Sequence, residues 1–163
     1  MIEINLDDVF NRGEDLTPKR AFEQLGQAES ETDLLNVLHN VILHFIVAVH
    51  KAKADDKTKA EAIFYLGEIE EAFFTLSKAS YIISKLRILD FTERRLYNFM
   101  INHMATLIHM YAHVKYGNPL DDVISGLKQI AIILSALIAE YNMSVGSKID
   151  ELLNELESIT AKE

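Results

Sequence analysis

PLDDVISGLKQIAIILSALIAEY, residues 119–141, decides the fold. At 100° per residue, Leu120, Val123, Leu127, Ile130, Leu134, Leu137 and Tyr141 fall on one broad stripe. Ser125, Gln129, Ile132, Ala136 and Ala139 make a second stripe of mostly small residues on the other side. A helix apolar around most of its girth has to be buried around most of its girth. In a bundle each helix normally keeps one face wet, so this one needs extra cover. Either the last helix or a second copy of the chain supplies it. The last segment has the means, because Ile149, Leu152, Leu153, Leu156 and Ile159 share one stripe with acids opposite.

The rest of the chain reads as helix too. Only two prolines and six glycines interrupt its 163 residues, and there are no cysteines. Absent cysteine excludes disulfides, thiolate metal sites and cysteine nucleophiles, and it suits a reducing cytoplasm. A chain this long buries roughly 70% of its unfolded surface and builds a core without staples. Thr17-Pro18 opens a short helix at about 18–26. Ser30-Glu-Thr-Asp33 is a capping box, in which the serine accepts an orphan backbone N–H. Long helices follow at about 31–53, 56–87, 91–116 and 119–142, the third opening at Asp90-Phe-Thr-Glu93 and the fourth at Asn118-Pro119. Ser147-Lys-Ile-Asp150 marks the start of a last helix, 147–161. Short links make sequential helices antiparallel. The expected fold is all-α: an antiparallel up-down bundle of four long helices (residues 30–163, with the C-terminal helix), preceded by an acidic arm, 1–29, with its short helix. MIEINL alternates apolar and polar residues and suits an extended arm.

Charge narrows the function. The net charge is −9. Residues 1–33 carry nine acids against three bases, 148–163 carry five against two, and 34–147 carry eleven of each. Such a balance opposes binding to nucleic acid phosphates. It supports solubility, or an acidic surface offered to a basic partner. No secretion signal is expected from the acidic N-terminus. The longest apolar runs, FIVAV (45–49) and IAIILSALIA (130–139), fall short of the roughly 20 residues that span a bilayer. We therefore expect a cytoplasmic protein with no membrane and no nucleic acid partner.

Three histidines in HMATLIHMYAHVKYG (103–117) pose the question of a metal, since His109 and His113 have the i,i+4 spacing that grips one ion. On the wheel, Leu96, Met100, Met104, Leu107, Tyr111 and Val114 face the core. His109 and His113 lie opposite with Arg95, Asn98, Asn102, Thr106 and Tyr116, which makes a solvated face. His103 falls beside the apolar arc as a core histidine. In the first long helix Leu34, Leu38, Val41, Ile42, Phe45 and Val49 form the core stripe, with His39, His44 and His50 away from it.

Glu68 and Glu71 are three apart on the helix at 56–87, as two carboxylates sharing a magnesium ion must be. Glu61, Phe64, Thr75, Lys78 and Ile82 share that face. Glu70 falls within the arc of Ile63, Phe73 and Phe74. A buried carboxylate needs a partner, and Tyr111 or His103 on the following helix is placed to provide one. Lys85, Arg87, Arg94 and Arg95 surround one interhelical turn and form a candidate anion site.

Glu68-Ile-Glu-Glu71 resembles the first acidic motif of the all-α nucleotide pyrophosphohydrolases, the MazG and dimeric dUTPase group. The hydrophobic rhythm of residues 124–153 resembles that group's closing helices. The resemblance implies magnesium held against a nucleoside triphosphate by acids from two helices, with Glu68 and Glu71 the catalytic pair. The second motif is missing: three residues after Glu93 stands Leu96, and three after Glu140 stands Met143.

Three functions stay open. The first is a self-associating regulatory protein that binds another protein or a small ligand, needs no cofactor, forms a homo-dimer or larger assembly, and performs no catalysis. The second is a magnesium-dependent pyrophosphohydrolase or a degenerate relative. The third is a metal-binding bundle using His109 and His113.

Overall fold

The computed structural model describes residues 15–86 and 93–161, side chains excepted at 80–94. Among the described residues the protein is all-helical, with five helices and no strand: α1 Pro18–Gln27, α2 Glu31–Lys51, α3 Asp56–Leu86, α4 Glu93–Lys115 and α5 Asp121–Ala161.

Local chemistry sets the helix ends. Arg20 N–H donates to Thr17 Oγ1 at 3.1 Å, with Pro18 at the first helical position, where its missing N–H costs nothing. Asp33 N–H donates to Ser30 Oγ at 3.1 Å, and the Asp33 carboxylate accepts from Glu29 N–H at 3.0 Å. The capping box therefore closes one residue further out than the standard reciprocal pair. Asp55 caps α3, its Oδ1 accepting from Thr58 N–H at 2.7 Å, and hydrogen bonding from the Thr58 hydroxyl, then from that N–H, holds its carboxyl below the usual aspartate range. α4 ends in a Schellman motif. Gly117 adopts φ +89°, Asn118 N–H reaches His113 O at 3.1 Å, and Gly117 N–H reaches Val114 O at 3.1 Å. Only a residue without Cβ takes that φ freely.

The core follows the helical stripes. Leu34, Leu38, Val41, Ile42, Phe45 and Val49 of α2 are buried, as are Leu96, Met100, Met104, Leu107, Tyr111 and Val114 of α4. α3 contributes Ala62, Leu66, Ile69, Phe73 and Leu76, and α5 contributes Val123, Leu127, Ile130 and Leu134. α1 lies on α4 and α2 and brings in Ala21 and Leu25, with Leu16 just before it. α2 packs on α3 and α4, and α5 packs chiefly on α3 while touching α4.

One expectation fails outright. Ser147 does not open a new helix, because α5 runs unbroken through 41 residues, about 60 Å at 1.5 Å per residue. The periodicity explains why. Leu134, Ile138, Tyr141, Val145, Ile149, Leu152 and Leu156 stay in one arc, so the apolar face crosses Gly146 and Ser147 in phase. A helix that continues straight on cannot fold back over its own first half. The outer stripe of Ser125, Gln129, Ile132, Ala136 and Ala139 is accordingly exposed, and beyond Lys148 every described residue is exposed. The fourth long helix also starts later than Pro119. Asp122 N–H still bonds Pro119 O at 3.2 Å, a turn that leads into Asp121.

α2 and α5 are each long and apolar enough to cross a membrane by length and composition, with 18-residue windows of mean hydropathy 1.6 and 1.7. Polar interruptions of one or two residues, such as His39-Asn40 in α2 and Lys128-Gln129 in α5, keep each apolar run short without lowering the mean over the whole window much.

Candidate functional site

The expected sites are not brought together. His109 is exposed and its ring lies against Phe22, with centroids 4.9 Å apart. Four residues on, His113 donates through Nε2 to Asp122 Oδ2 at 2.9 Å. The two imidazoles are committed to different neighbours. No group of three or more His, Asp or Glu residues stands ready to hold a metal among the described residues. Glu68 and Glu71 are exposed on α3 beside Phe64, which is 60% exposed.

Glu70 is partnered, but by a different residue than expected. Its Oε1 accepts from His39 Nδ1 at 2.6 Å, across the α2–α3 contact, and both side chains are part-exposed. Neither candidate on α4 reaches it. His103 donates through Nδ1 to the carbonyl of Phe99 and its ring lies tilted against that side chain, with centroids 4.2 Å apart. Phe74, placed in the same arc as Glu70, is instead exposed, with Lys78 Nζ 4.3 Å from its ring centroid. Of the basic cluster, Arg95 is exposed on α4, whereas the side chains of Lys85, Arg87 and Arg94 lie outside the described ones, as does the Asp90–Glu93 cap.

Tyr111 is buried as expected, but its hydroxyl donates to the carbonyl of Leu16, 95 residues earlier. Lys115, one turn on, pairs with Asp15. Tyr97 donates to Ala28 O at 2.8 Å. These three bonds clamp residues 15–28 along α4. Burial, and behind it the Asp15 charge, pushes the Tyr111 phenol above its ordinary range. No local pattern announces a hydroxyl-to-carbonyl bond between segments this distant in sequence.

Beside this clamp lies a pocket of about 640 Å³ between the C-terminal ends of α2 and α4 and the turn before α5. Lys51, Lys53, Lys115, Asp15, His44 and Tyr111 are among its lining residues. In an acidic chain the lining is net basic. Lys115 is committed to Asp15, however, and Lys51 has an interaction of its own. His44 donates through Nδ1 to Asn40 O at 2.8 Å, and its Nε2 is buried without a hydrogen-bond partner. The atom is sealed from water, so a ligand in the pocket does not meet it without rearrangement.

The strongest surface feature is α5 itself. Its outer face presents Ile132, Ile133 and Met143, the last 77% exposed. Further along, Ile149, Leu152, Leu153, Leu156 and Ile159 stand clear of the body. Contiguous exposed apolar side chains of this kind mark interaction surfaces.

No protein-family model matches the chain, and neither a curated protein nor a solved structure matches it.

Proposed function

We propose that the protein is a non-catalytic, self-associating helical binding protein of the cytoplasm with a regulatory role, its body an antiparallel up-down bundle of four long helices. Short links between α2, α3 and α4 and the α4–α5 turn support that topology, and the helix pairings are consistent with it. One observation carries the functional reading. From Gln129 to Met143 the outer face of α5 presents Gln129, Ile132, Ala136, Ala139 and Met143, all exposed, with no charge among them. Small side chains let a second helix approach closely, and an uncharged stripe sets no like charges against a copy of itself. A two-fold pair is the ordinary way to cover such a face.

Light scattering after gel filtration tests this on the full chain. The expected mass is at least twice the 18.5 kDa of one chain. Glu in place of both Ile132 and Ala136 should return the monomer with unchanged helicity. A monomeric unmodified chain at micromolar loading would overturn the reading.

A further inference from the structure

Past Lys148, α5 carries a second apolar stripe on a different side from the face just described: Ile149, Leu152, Leu153, Leu156 and Ile159. Each is between 45% and 62% exposed. The spacing of Ile149, Leu152, Leu156 and Ile159 is three, four, three, the repeat with which one helix lays a seam against another. Leu153 widens that seam on one side.

The flanks of the seam identify its occupant. Residues 149–161 hold four acids, Asp150, Glu151, Glu155 and Glu157, and no base. On the wheel Glu151 and Glu155 border one edge of the stripe, and Asp150 and Glu157 border the other. Glu151 pairs with Lys148 at 3.4 Å within the same helix, which leaves Asp150, Glu155 and Glu157 without an ion pair among the described residues, and a second copy of this segment would bring three more such carboxylates. The chain's own first 14 residues are a poor cover for the same reason, with Glu3, Asp7, Asp8 and Glu14 against Arg12 alone. An anionic membrane surface attracts helices with lysine and arginine on the polar face, the opposite of this arrangement. An apolar stripe edged on both sides by carboxylates complements an apolar stripe edged by lysine or arginine.

We infer that the outer end of α5 docks a basic amphipathic helix from a different protein, apolar side chains meeting in the seam and cations pairing along both edges. This site is separate from the self-association face at 129–143, so either can fail without the other.

The test titrates the full chain with a synthetic amphipathic helix bearing leucine along one stripe and lysine on both flanks. Its twin carries glutamate for lysine. The expected result is binding of the lysine peptide only, weakening as salt is raised. Leu152→Gln with Leu156→Gln keeps the acidic charge and should cost at least about tenfold in affinity, as loss of central apolar anchors does. Glu151→Gln with Glu155→Gln keeps the stripe and should reduce the preference for lysine over glutamate. Circular dichroism checks that both variants stay helical. Equal binding of the two peptides, or unchanged binding by the leucine variant, overturns the inference. So does a stripe that Leu152→Gln with Leu156→Gln shows to be the self-association seam by light scattering, or one that binds anionic vesicles in preference to the peptide.

Discussion

Replacing Tyr111 with Phe isolates the clamp between α4 and the segment before α1. The ring stays, together with its neighbour Phe45 at a centroid separation of 5.9 Å, so no cavity opens. Only the hydroxyl goes. Its partner, the carbonyl of Leu16, belongs to a residue that is 5% exposed, so water does not replace the lost donor freely. Leaving a buried acceptor unsatisfied costs about 1–3 kcal/mol. For a chain of this size each kcal/mol moves Tm by about 2–4 °C, so a mid-range loss of about 2 kcal/mol lowers it by about 4–8 °C. Lys115→Met removes the neighbouring pair with Asp15, whose carboxylate is well exposed, and should cost no more than about 1 kcal/mol alone. The two bonds hold adjacent residues, Leu16 and Asp15, so the effects should not add: the double variant should differ from the sum by more than about 0.5 kcal/mol. Thermal melting gives Tm and urea unfolding gives the free energies of the cycle, both followed by circular dichroism on all four proteins. A Tyr111→Phe variant melting within about 1 °C of the parent, or a strictly additive cycle, would refute the claim that these side chains close one clamp.

Two other outcomes follow from the same geometry. Folded Tyr111 keeps its proton to higher pH than the unfolded chain, whose tyrosines titrate near 10, so the stability it contributes is complete below about pH 10 and drains away as pH rises further. Base unfolding should be shallower in Tyr111→Phe than in the parent when helicity is followed against pH. Gly146 sits inside α5 with nothing within 4 Å of where a Cβ would stand, so Gly146→Ala should stabilise the protein by about 0.5–1 kcal/mol; a loss of stability in urea unfolding would mean the helix is not continuous there.

The stripes of α2 and α4 were legible because their apolar residues recur at one period and meet no competing signal. Ile108 and Val37, both buried, lie at the margins of those stripes, where a wheel assigns a residue to neither side with conviction. The caps at Thr17 and Ser30 were legible because they are local, three residues from donor to acceptor. Ser147 misled for the same reason: a local start signal was weighed above a face that crosses it in phase, although a serine inside a helix merely turns outward. Glu70 shows a second limit. Its position in the wheel says that it faces a neighbour and not which one; His39 on the preceding helix holds it, whereas the expected partners were on the following helix. The bond from Tyr111 to Leu16 and the pocket beside it depend on how α1 lies across α4, a tertiary fact with no periodicity to announce it.

The unbroken run of α5 bears on how a captured partner would sit. A domain joined by a loose tether explores a sphere, and each added linker residue dilutes its encounter with the rest of the molecule. A rigid rod imposes a bearing instead. Its far turns keep a constant rotation and distance relative to Leu134 and the rest of the core, so whatever grips them inherits that alignment without a hinge to absorb error. Adding or removing a single residue between Val145 and Ile149 would swing the gripping face by about 100° while leaving the grip itself intact.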